Sequence, residues 1–118
     1  MSRADKIIRH GADGITATIL LRRISGDARA IAVWRSLDEA VVTAAARTVT
    51  LDFRPVDYMS SSGIGELVTF AKRCHEMRVR VIICNLCPSL RHVLTLMHLD
   101  ALVEIARDDL TTAASGPS

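Results

Sequence analysis

Aromatic side chains are scarce in these 118 residues, with Trp34, Phe53, Tyr58 and Phe70 the whole set. They offer no row of rings on which bases would stack, and the core has to be built from aliphatic side chains. Charge of one sign is also missing: fifteen basic and thirteen acidic residues leave a formal net charge of +2, mixed along the chain without a basic block. A nucleic-acid partner is therefore not indicated. No apolar run approaches the roughly 20 residues of a membrane span, and Met1-Ser2-Arg3-Ala4-Asp5-Lys6 lacks the apolar segment of a secretion signal. The expected location is the cytoplasm, with no membrane partner. Cysteines are few and odd in number, and Cys74, Cys84 and Cys87 fit a reducing compartment better than a disulfide framework.

What remains is the composition of an ordinary soluble domain, 49% apolar and 24% charged. The length suits one domain with its own core, expected over 1–110, with a loose tail over 111–118. Lys6 to His10 and Ile15 to Leu21 are rich in β-branched residues and flank the turn-forming Gly11-Ala12-Asp13-Gly14, which predicts a β-hairpin. Ser25-Gly26-Asp27 breaks the chain. From Ala28 to Ala46, Trp34, Leu37, Val41 and Ala45 recur at helical spacing.

Thr48 to Phe53 reads as a strand, and Gly65 to Met77 as an amphipathic helix with Ile64, Leu67, Val68, Ala71, Cys74 and Met77 on its apolar stripe. Val79 to Cys84 is an almost continuously apolar strand, the pattern of a strand covered on both faces. Pro88 suits the first turn of a third helix with Leu90, Val93, Leu94 and Met97 buried, and Leu102 to Ala106 a last strand. The alternation predicts an α/β fold: a mixed, mostly parallel sheet of four to five strands with an N-terminal hairpin, packed against about three to four helices.

The chemistry-bearing segment is Tyr58-Met59-Ser60-Ser61-Ser62-Gly63-Ile64-Gly65. Its hydroxyls and glycines fall where a helix begins, a place that exposes unpaired N–H groups and the positive end of the dipole and so suits an anion. The plain alternative is helix capping by serine, worth about 1 kcal/mol over alanine.

The same segment, after a strand ending Leu51-Asp52-Phe53, resembles the STAS domain family of bacterial anti-sigma-factor antagonists, whose usual motif is a hydrophobic residue, Asp, Ser, Ser, Gly, a hydrophobic residue and Gly. Cys84-Asn85-Leu86-Cys87-Pro88 with the run to Leu94, and His98-Leu99-Asp100, are similar to later family motifs, so the resemblance covers about Ile15 to Ile105. It implies a regulatory binding module rather than an enzyme, without a cofactor, whose partner is an anti-sigma factor that is also a serine kinase, with a serine phosphatase resetting it. A monomer or weak dimer is implied.

The phosphorylated serine of the family falls on Ser61, with Ser62 and Ser60 as fallbacks. The partner surface falls on Gly26, Asp27, Arg29, Tyr58, Met59, Ser60, Ser61, Ser62 and Gly63. Two departures stand out: Ser60 occupies the family's Asp position, and Arg29 a second acidic one. Loss of a carboxylate beside Ser61, and Arg29 if nearby, would favour an anion there, and Asp27 could supply a displaced carboxylate. Other STAS relatives serve as scaffolds or sensor-linked subunits of larger assemblies, or bind small ligands, and these are the competing expectations.

Cys84 and Cys87, with Cys74, His75 and His92, invite a zinc reading, but Cys74 lies on a buried stripe and Cys84 inside an apolar strand, so buried thiols are expected and no metal. Cys87 at a helix start leaves room for a redox role. Ser62-Gly63-Ile64-Gly65 has the wrong order for a nucleophile elbow, and no base or orienting carboxylate is marked around Ser61.

Overall fold

The computed structural model describes residues 5–106. In chain order the elements are β1 (Lys6–His10), β2 (Gly14–Ile19), β3 (Arg23–Ile24), α1 (Ala28–Thr43), β4 (Thr48–Asp52), β5 (Tyr58–Met59), α2 (Ser61–Glu76), β6 (Arg80–Cys84), α3 (Pro88–Leu96), a 3-10 turn (Leu99–Ala101) and β7 (Glu104–Ile105). The main sheet runs β1-β2-β4-β6-β7, antiparallel between β1 and β2 and parallel thereafter. The expected mixed, mostly parallel sheet with its hairpin edge and three helices is what forms. The tail expected over 111–118 lies outside the described residues.

Strand order explains the layering. From β2 onward each crossover steps in the same direction, and right-handed crossovers then place α1, α2 and α3 on one face. Burial along the strands agrees. Ile15, Ala17 and Ile19 of β2, Val49 and Leu51 of β4, and Val81 and Ile83 of β6 are buried, while Thr16 and Arg80 are exposed and Thr50, Ile82 and Cys84 half-buried. The expectation that both faces of β6 are covered is thus corrected: one face is covered, and the apolar run reflects the half-buried Ile82 and Cys84 on the other.

The core is aliphatic around two rings. Trp34 of α1 meets Phe70 of α2 with centroids 5.3 Å apart, and Leu37, Leu51, Phe53 and Ile83 are fully buried near them. Phe70 was absent from the predicted stripe, whereas Met77 and Met97, which were on predicted stripes, are 43% and 50% exposed. The reason is where the helices stop. Met77 and Met97 are the C-cap residues of α2 and α3, and beyond the last helical turn the periodic projection no longer points at the core. For the same reason Ala45, placed on the first stripe, is exposed past the end of α1 at Thr43.

Two short strands escaped the sequence reading. β3 and β5 pair in parallel, Arg23 with Tyr58 and Ile24 with Met59, into a two-stranded ribbon following the C-terminal ends of β2 and β4. Two residues carry no periodicity, so only tertiary pairing reveals them.

Candidate functional site

The serine turn is held from both sides. Below it, Phe53 and Val56 are buried and anchor the loop leaving β4. Asp52 at the end of β4 fixes its direction, since one carboxylate oxygen accepts from the Arg54 N–H and from the Asn85 side-chain amide, each at 3.0 Å. Asn85 has φ 57, a left-handed conformation asparagine tolerates. The loop then enters the ribbon: the Ser60 N–H donates to the Ile24 carbonyl at 2.9 Å, and the Asp57 and Tyr58 N–H groups donate to the Arg22 carbonyl.

Helix α2 starts at Ser61, four residues before the run predicted from Gly65. Ser60 is its N-cap, with Oγ accepting from the Gly63 N–H at 3.0 Å. Serine and aspartate cap equally well, so Ser60 closes the helix start as an aspartate would, without adding a charge. Ser61 and Ser62 are exposed in the first turn. Ser61 makes no side-chain hydrogen bond among the described residues, and its hydroxyl is therefore available.

Gly63 and Gly26 make the close approach possible. A Cβ on Gly63 would lie 2.3 Å from the Ile24 carbonyl oxygen, and one on Gly26 2.7 Å from the Ser62 Cβ. The starts of α1 and α2 are thereby brought together. Asp27 is the N-cap of α1, its Oδ1 accepting from the Ala30 N–H at 3.0 Å.

Arg29 is committed elsewhere. Its guanidinium bonds both carboxylate oxygens of Asp5, tying the start of β1 to the start of α1. The Arg29 side-chain hydrogen bond holds the Asp5 carboxyl below its ordinary value despite the opposing effect of burial. Arg29, expected to favour an anion at the serines if it lay near them, is thus paired with Asp5, and Asp27 holds its carboxylate at the cap of α1.

Of the nine residues assigned to the partner surface, Gly26, Asp27, Tyr58, Ser61 and Ser62 are exposed around the joined helix starts, Ser60 is half-buried among them, and Arg29 is exposed but paired with Asp5. Met59 and Gly63 are buried, so they shape the surface rather than present side chains to it. Sequence reasoning missed Arg22 and Arg23. Arg23 stacks over the Tyr58 ring at 4.8 Å, and Arg22 pairs with Asp57 at 3.0 Å across exposed surface. Their signal was faint, a basic pair just after the apolar second strand.

The thiols behave as expected in part. Cys74 is buried, and desolvation, reinforced by the Asp38 charge, pushes its thiol up to about 12. Cys84 and Cys87 are half-buried, Cys87 serving as N-cap of α3. Among the described residues no helix is long and apolar enough to cross a membrane.

A model of the STAS domain family matches residues 16–112 of the chain. Solved structures agree in fold. The Bacillus cell fate determinant SpoIIAA in its phosphorylated form is 17% identical with TM-score 0.66, over 93% of this chain and 98% of that one. An anti-sigma factor antagonist from Mycobacterium paratuberculosis is 17% identical with TM-score 0.70, over 92% of this chain and 91% of the other. The anti-sigma factor antagonist SpoIIAA in its unphosphorylated form is 19% identical with TM-score 0.61, over 77% and 82%. No curated protein sequence matches.

Proposed function

Because the chain belongs to the STAS domain family, we propose that it is a regulatory binding module of the anti-sigma-factor antagonist kind, switched by phosphorylation of Ser61. The partner is an anti-sigma factor that is also a serine kinase, which places the protein in the cytoplasm. The observation that carries this reading is the division of labour between adjacent hydroxyls. Ser60 supplies the cap of α2, and Ser61 stands exposed with no side-chain hydrogen bond among the described residues, so modifying it leaves the helix start intact.

Unmodified, the joined starts of α1 and α2 and the Arg23–Tyr58 stack form the binding surface. Arginine and tyrosine are residue types that contribute most at interface centres. The kinase transfers the terminal phosphoryl group of ATP to the Ser61 Oγ, releasing ADP and a proton. The product carries a charge of about −1.5 to −2 at the centre of that surface. The helix start tolerates the charge, because unpaired N–H groups and the dipole favour an anion there, and Ser60 adds no like charge beside it. The partner loses its fit, and a phosphatase hydrolysing the ester restores it.

Incubation with the cognate kinase and ATP, followed by phosphosite mapping, tests the reading. A single phosphate on Ser61 and loss of partner binding on modification are expected. Modification confined to Ser62, or binding that survives phosphorylation of Ser61, would sink it.

A further inference from the structure

The end of the sheet away from the serine turn carries a second surface. The C-terminal turns of α1 and α2 meet the first residues of β4 and β6 around a groove of about 740 Å3. Val41, Val42, Ala46, Met77 and Val79 give it an apolar lining, and Val42 stands 64% and Met77 43% exposed. Around them lie Arg47, Arg78 and Arg80, with Asp13 the acid in the lining. Two of the exposed large apolar side chains of the described residues thus share one groove with three arginines, the combination that marks recognition surfaces.

The arginines are not there to cap the helices. Both helix ends close their own carbonyls through paired bonds. The Ala46 and Ala45 N–H groups donate to the Val41 and Val42 carbonyls, each at 3.1 Å, and the Val79 and Arg78 N–H groups donate to the Cys74 and His75 carbonyls at 2.8 and 3.0 Å. Arg80 is held by two 2.7 Å bonds to Glu104. Arg47 and Arg78 make no ion pair among the described residues, so their charge is uncompensated in the groove.

The backbone past these two helix ends is left-handed, as it is at His98 past α3. The residues after the two helix caps, Ala45 and Arg78, sit at φ 49 and 63, where glycine is the usual choice and a side chain costs about 1 kcal/mol. At both positions a side chain is kept, and both line the groove.

We propose that this groove docks an acidic segment of a protein partner, seating an apolar side chain on Val42 and Met77 and carboxylates against Arg47 and Arg78. Charge complementarity selects the occupant: with Arg80 taken by Glu104, Arg47 and Arg78 face one aspartate, and the apolar floor calls for an anchor that a bare anion lacks. The groove is separate from Ser61, so this docking does not rest on the phosphorylation switch and persists in either state of it.

Backbone amide NMR of the whole chain, titrated at low ionic strength with the peptide Glu-Asp-Leu-Met-Glu-Asp, tests this. Shifts are expected to be confined to residues 41–48 and 77–81, and to be unchanged by Ser61→Asp. Combined Arg47→Glu and Arg78→Glu, whose folding is checked by retained spectral dispersion, should weaken binding by at least about tenfold. Val42→Ser, which leaves the charges in place, should weaken it less. Scattered shifts, equal binding by the double variant, equal binding of an all-acidic peptide without the apolar pair, or preference for anionic lipid vesicles over the peptide would each overturn the proposal.

Discussion

The two ends of the parallel strands solve the same problem, returning the chain between helix and sheet, with opposite uses of glycine. At the serine end Gly26 and Gly63 allow a close approach: an added Cβ would meet Ser62 or the Ile24 carbonyl well inside contact distance. Neither glycine has a positive φ. At the groove end the backbone turns left-handed directly after α1 and α2, and there Ala45 and Arg78 stand where glycine is the usual cap. Glycine therefore marks where two helix starts must touch, and its absence marks where a side chain is retained at a conformational cost. One end is arranged for tight assembly around a modifiable hydroxyl, the other for an open lining.

The contrast can be broken most strongly at the hydroxyl. Ser61→Asp is expected to lower affinity for the cognate kinase partner by about two orders of magnitude, since an unpaired charge buried in an interface costs on the order of 3 kcal/mol. Ser61→Ala should bind as the unmodified protein does. Calorimetric titration of the two side by side decides, and equal affinities would remove Ser61 from the switch.

Gly63→Ala comes next. Forcing a methyl against the Ile24 carbonyl should cost about 1–3 kcal/mol in urea unfolding and disturb the β3–β5 ribbon. Ser60→Ala should cost about 1 kcal/mol through the lost cap, while Ser60→Asp keeps stability within about 0.5 kcal/mol, separating capping from charge. At the opposite end the sign reverses. Ala45→Gly should stabilise by up to about 1 kcal/mol, because the left-handed turn is already in place. A destabilisation there would refute the claim that the groove end keeps its side chains at a cost.

Acid acts last and least, because the partners are exposed arginines screened by solvent. Asp5 and Glu104 both have folded values below the ordinary carboxylate range, owing to hydrogen bonds from Arg29 and Arg80. A depressed carboxyl contributes stability that is present above its unfolded value, about 4, and is lost as pH falls through the folded one. Acid titration should therefore loosen the β1–α1 tie and the Arg80–Glu104 pair below about pH 4, read by amide shifts of residues 5–6 and 104–105. Asp5→Asn should flatten the first of these responses.

Periodicity made most of the fold legible. Long segments such as α1 and α2 carry several turns of stripe, and β1, β2, β4 and β6 are β-branched runs between turn residues. Errors gathered where signals end. Met77 and Met97 continue a stripe one residue past the helix, and β3 and β5 are too short to have a period. At the site, the motif pointed to Ser61, but the role of Ser60 as cap and the capture of Arg29 by Asp5 depend on which groups meet across 3 and 24 residues of sequence. Serine capping is a local signal, but no local pattern encodes the capture of Arg29 by Asp5.

The sequence by itself determined the class of fold, the order of its elements and the presence of a hydroxyl-rich helix start, because these follow from local spacing of apolar, turn-forming and capping residues. Only the tertiary structure decided that all three helices share one face, that Gly26 and Gly63 bring two helix starts together, and that Arg47 and Arg78 are left uncompensated beside exposed Val42 and Met77. Those outcomes depend on crossover handedness and on contacts between distant residues, quantities set by three-dimensional packing rather than by any neighbour along the chain.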